Sequence, residues 1–124
     1  MRRFRDDELM DIAEDLLWEL PENIREVLAD ISVIIQDRPT QEQLSAAKVP
    51  EGSTLLGLYQ GVPTSAQSVF QTVIVPGSII LFREPIERIC ESPDAVRDQL
   101  RLTLFHEIGH HLGYDEDQLR QRGV

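Results

Sequence analysis

Between Ser92 and Gly113 the chain carries a complete set of helix signals, and this segment constrains the fold more than any other. Ser92 suits an N-cap, Pro93 the first helical position and Asp94 the positive end of the helix dipole, so the spacing predicts a helix from Pro93 to about Leu112. Gly113 is suited to end it in a left-handed conformation. In the first half the charges of Asp94, Arg97, Asp98 and Arg101 interrupt Val96 and Leu100. In the second half Leu102, Leu104, Phe105, Ile108 and Leu112 surround the axis, which predicts that this half is buried. His106, Glu107 and His110 fall on the arc left between those apolar residues, at the bottom of a cleft, where buried polar groups need partners.

That arc reads His106-Glu107-Ile108-Gly109-His110, with His111 following, so all three histidines of the chain lie within six positions. Residues four apart on a helix are separated by about 6 Å of rise and roughly 40° of rotation, so the two imidazoles can converge on one ion. The pattern His-Glu-x-x-His is that of a hydrolytic zinc site. Glu107 flanks the ion without binding it and is placed to accept a proton from water, whose pKa zinc lowers to near ~7. His111 points about 100° away from His110 and is expected to pack or to support the ligands from behind.

A third ligand can come from beyond Gly113, where the reversed chain can swing back toward the ion, with water as the other source. Glu116 is the preferred candidate. Asp115 and Asp117 compete, but Asp115 with Gln118 resembles a capping box opening a last helix from Glu116 to about Arg122. All three acids would also favour the positive end of that helix without binding anything.

The chain of 124 residues is expected to form one domain, and 41% hydrophobic content with no repeat or low-complexity tract fits a packed globule. A formal charge of −10 argues against nucleic acid or an anionic membrane as partner and favours neutral or basic polypeptides. Met1-Arg2-Arg3-Phe4-Arg5 runs straight into Asp6, Asp7 and Glu8, which leaves no apolar signal-peptide core. Cys90 is the single cysteine, so neither an internal disulfide nor a multi-thiolate zinc site is available, and a cytoplasmic location is expected.

Upstream, Leu9, Ile12, Ala13, Leu16 and Leu20 repeat at helical spacing, and Pro21-Glu22 starts a second helix to about Leu28 that turns Ile24, Val27 and Leu28 inward. Ile31 to Ile35 reads as a strand, Arg38 to Ser53 as a connection with a helical turn at Gln41 to Ala46, and Thr54 to Tyr59 as the next strand. Val73 to Val75 and Ser78 to Phe82 flank Pro76-Gly77 and predict a β-hairpin, with a short helix from Ile86 to Cys90 after it.

On these residues the chain resembles the short bacterial zincin-like metallopeptidases, single-domain proteins long known only as a domain of unknown function. The resemblance rests on His106-Glu107-x-x-His110-His111-x-Gly113-x-x and then an acid. It extends through Leu20-Pro21-Glu22, Leu56-Gly57-Leu58-Tyr59-Gln60-Gly61-Val62-Pro63, Ile80 to Glu87 and Asp117-Gln118-Leu119, covering nearly the whole chain. It implies His106 and His110 as zinc ligands, Glu107 as catalytic base and Glu116, where the family more often carries aspartate, as third ligand. The expected fold is α+β in the minimal zincin manner, a small twisted sheet packed against the motif helix and the N-terminal helices. The expected activity is zinc-dependent (Zn2+) hydrolysis of peptide bonds, with an extended substrate pairing to a sheet edge at Leu55 to Tyr59 or Ser78 to Phe82. Tyr59 is expected as a core or cleft-wall residue. Only fourteen residues follow His110, so the cleft should be shallow unless an oligomer or partner completes it. The alternative is a non-catalytic, zinc-stabilised module that binds protein or peptide.

Overall fold

The computed structural model describes residues 4–61 and 77–113. Helix α1 spans Asp6–Leu17, α2 Glu22–Val27, strand β1 Ser32–Gln36, α3 Gln41–Ala46, β2 Gly57–Gln60, β3 Ser78–Phe82, α4 Arg83–Ile89 and α5 Pro93–His111. The architecture is α+β, with the strands in the order β1-β3-β2. β3 lies parallel to β1, with Ser32 opposite Ser78 and Gln36 opposite Phe82. It is antiparallel to β2, with Gly57 opposite Leu81 and Tyr59 opposite Ile79. Helices α1 and α5 pack on one face of this sheet.

β3 is central because its residues can be buried on both faces: Ile79, Ile80, Leu81 and Phe82 are all at most 4% exposed. Ile79 and Leu81 enter a core with Leu9, Ala13 and Leu16 of α1 and Val96, Leu100, Leu104 and Ile108 of α5. At the far end of β3 the chain turns directly into α4. There Arg83 is buried against the carboxylates of Asp6, Asp37 and Glu87, tying α1, the end of β1 and α4 together.

Several local expectations hold. Ser92 Oγ accepts from Ala95 N at 3.1 Å, Pro93 opens α5, and Gly113 adopts φ +92° just past its end. The helical turn at Gln41–Ala46 is present with Thr40 as its cap. Others are corrected. Ser78–Phe82 is the central strand and offers no edge to a substrate, because its hydrophobic run is paired on both sides. The β2 strand is shorter than Thr54 to Tyr59, and α4 begins at Arg83 rather than Ile86, the missing N–H of Pro85 falling in the first turn where no helical partner is needed. Val27 is 40% exposed, at the open end of a six-residue helix, whereas Leu28 is buried and Ile24 packs half-buried against the core as expected. The first arm of the expected hairpin, Val73 to Val75, and the last helix after Glu116 lie outside the described residues.

Candidate metal centre

Helix α5 organises the site through three adjacent stripes, each made of residues four apart. Val96, Leu100, Leu104 and Ile108 form the apolar stripe that enters the core, so the charged first half is as deeply anchored as the second. Thr103, Glu107 and His111 form a polar stripe, each at most 8% exposed. Leu102, His106 and His110 form the third. Its two histidines are half-buried, and Leu102 is 51% exposed, contrary to the expected burial of the whole second half. The apolar residues therefore do not encircle the helix: Leu102 and His106 of the third stripe line a cleft.

The polar stripe is buried because β2 covers it. Alternate residues of a strand share a face about 6.6 Å apart, close to the 6 Å rise of four helical residues. Gly57 accordingly meets Thr103 and Glu107, and Tyr59 meets His111 one helical turn further on. At Gly57 a Cβ would lie 2.5 Å from Thr103 Cγ2 and 3.4 Å from Glu107 Cγ, so the missing side chain is what lets strand and helix close over the Glu107 stem. Thr103 Oγ1 accepts from Gln99 Nε2 at 3.0 Å, which satisfies that hydroxyl within the helix.

His106, Glu107 and His110 each offer a ligand-type atom within 4.8 Å of the others. The two imidazoles stand edge to face with centroids 5.0 Å apart. Beside them opens a cleft of about 350 Å³ lined by Leu56, Gly57, Gln99, Leu102, Thr103, His106 and Glu107. Two half-buried imidazole nitrogens on one side of a helix are donors that zinc accepts, and the buried Glu107 carboxylate stands beside them. Glu116, together with Asp115 and Asp117, lies outside the described residues.

Residues 28–124 match the zincin-like metallopeptidase family. The chain belongs to that family. Among solved structures, this zincin-like chain is similar to a conserved hypothetical protein from Thermo thermophilus, with a TM-score of 0.55 and 21% identity. The similarity covers 94% of this chain and 97% of that one, and it is a likeness of fold. No curated protein matches the chain. Among its described residues no helix is long and apolar enough to cross a membrane.

Sequence reasoning placed the motif residues on the correct helix but missed their supports. Gly57 was visible as a glycine inside an apolar strand, which signals a close backbone approach. The stripe of Gln99, Thr103, Glu107 and His111 was visible as polar residues recurring every fourth position. His111 does pack rather than face the cleft: it is 2% exposed and hydrogen-bonded through Nδ1 to Tyr59 Oη at 3.0 Å. Burial pushes the His111 pKa down and that of Tyr59 up, while the carboxylate of Asp30 favours the protonated form of both.

Proposed function

We propose that the chain is a zinc-dependent peptidase in which His106 and His110 hold the ion, Glu116 completes the ligand set and Glu107 is the general base. The observation that carries this reading is the convergence of His106, Glu107 and His110 within 4.8 Å beside an open cleft. Zinc held there would supply a Lewis acid and make water acidic enough to be deprotonated near neutral pH. Glu107 accepts the proton of the attacking water and returns it to the leaving amine, and its stem is held for that task between Gly57 and the helix. Its place on the stripe facing β2, one stripe over from both imidazoles, separates proton transfer from metal binding.

β2 is the strand suited to align an extended peptide. Among the described residues it pairs only with β3, and its first residue lines the cleft beside His106. The chain's charge of −10 favours neutral or basic substrates.

Glu107→Gln tests this directly, because it removes the proton acceptor and leaves both imidazoles. Wild type, Glu107→Gln and chelator-treated wild type are incubated with a mixed peptide library and the products read by mass spectrometry. Zinc content unchanged with cleavage reduced about 10²- to 10⁴-fold supports the reading. Cleavage that survives Glu107→Gln refutes the assigned base, and a zinc-loaded wild type that captures peptides without cutting them favours the non-catalytic binding module.

A further inference from the structure

The last turn of α5 carries His110, and a helix end is where hydrogen bonds are most easily lost. Here that turn is fastened from outside the helix. His111, one residue beyond His110, is hydrogen-bonded to the Tyr59 hydroxyl at 3.0 Å, with the two rings edge to face at 5.3 Å. Tyr59 belongs to β2, which is paired along its length with the central strand, so the fastening point is rigid.

The phenol occupies a slot that exists only because two glycines line it. A Cβ at Gly61 would lie 2.8 Å from Tyr59 Oη, and one at Gly77 would lie 2.9 Å from Tyr59 Cε1 and 3.3 Å from His111 Nδ1. Gly61 has φ +144°, a backbone conformation that side chains disfavour. Two backbone positions from separate segments thus leave room for one hydroxyl at the back of the helix turn that carries His110.

We propose that Tyr59 is a positioning residue for the metal centre: through His111 it holds the last turn of α5 so that His110 stays in register with His106. The inference rests on the zinc-site reading above. It assigns Tyr59 no contact with substrate and no part in proton transfer.

The test uses zinc alone as probe, in competition with a chromophoric chelator, on wild type, Tyr59→Phe, Gly77→Ala and the double variant. Tyr59→Phe keeps the ring and removes only the hydroxyl, so the fold persists while zinc affinity falls about tenfold, in the range seen when a group supporting a ligand is lost. Gly77→Ala displaces the same hydroxyl and lowers affinity similarly. The double variant is then no weaker than about tenfold, because both changes remove one link. Amide exchange at Leu112 and Gly113, whose N–H groups donate to Ile108 and His110 carbonyls, speeds up in Tyr59→Phe and slows again when zinc is added. A residue serving stability alone would change the melting temperature without moving zinc affinity. Tyr59→Phe binding zinc as tightly as wild type overturns the inference, as does a double variant weakened by the product of the two single effects. Wild type that binds no zinc instead refutes the metal site itself.

Discussion

Gly57→Ala is the most informative single change to the scaffold of the site. The added Cβ would stand 2.5 Å from Thr103 Cγ2 and 3.3 Å from the Ile80 carbonyl oxygen, so strand and helix must part by about 1 Å to restore ordinary carbon–carbon contact. Thr103 cannot simply turn away, because its Oγ1 accepts from Gln99 and its χ1 is restricted on a helix. Overpacking of this size costs about 1–3 kcal/mol, and replacing a strand glycine recovers about 0.5–1 kcal/mol of backbone entropy. The net loss is about 1–2 kcal/mol, or about 4–8 °C in melting temperature for a chain of this length. Thr103→Ser removes the obstructing methyl and keeps the hydroxyl, and alone should cost about 1 kcal/mol for the buried methyl. In the double variant the alanine methyl fills the space the threonine methyl vacates, so it should be more stable than Gly57→Ala by about 1 kcal/mol. Denaturant melts of the four proteins give the coupling energy. Additive losses, with the double variant the least stable of the four, would refute the close packing of β2 on α5 at this point.

Ser92→Ala removes the cap that receives the Ala95 N–H and should destabilise the chain by about 1 kcal/mol, measured by urea denaturation, with the cost falling on the helix that carries the site. Arg83→Leu takes the cation from the nearly buried Glu87 carboxylate, while Asp6 and Asp37 stay solvated, and should cost about 1–3 kcal/mol in the same assay. Because Arg83 is not among the residues that line the cleft, zinc affinity of the folded variant should match wild type.

What was readable in the sequence follows from how local each signal is. Ser92, Pro93 and Gly113 act within one helical turn, so the ends of α5 could be placed to within a residue. The spacing of His106, Glu107 and His110 acts within one helix and placed the ligand-type atoms together. Strand order is a different matter, because nothing in the segment Ser78 to Phe82 says how many neighbours it has. Its continuous apolar run fits a central strand, and the alternation expected of an edge was absent. Leu102 was misjudged because an apolar residue on a helix was assumed to face the core, whereas here it lines the cleft. The pairing of Tyr59 with His111 joins residues 52 apart and depends on the match between strand and helix rise, which only the assembled layers reveal.

The most direct measurement is the metal content of the purified chain, by elemental analysis of wild type, His106→Ala and His110→Ala prepared in parallel. About one zinc per chain is expected in wild type and near none in either variant, because a single imidazole with carboxylates does not retain the ion. Stoichiometric zinc persisting in His110→Ala, or a wild type that takes up none when zinc is supplied, would contradict the site at its foundation.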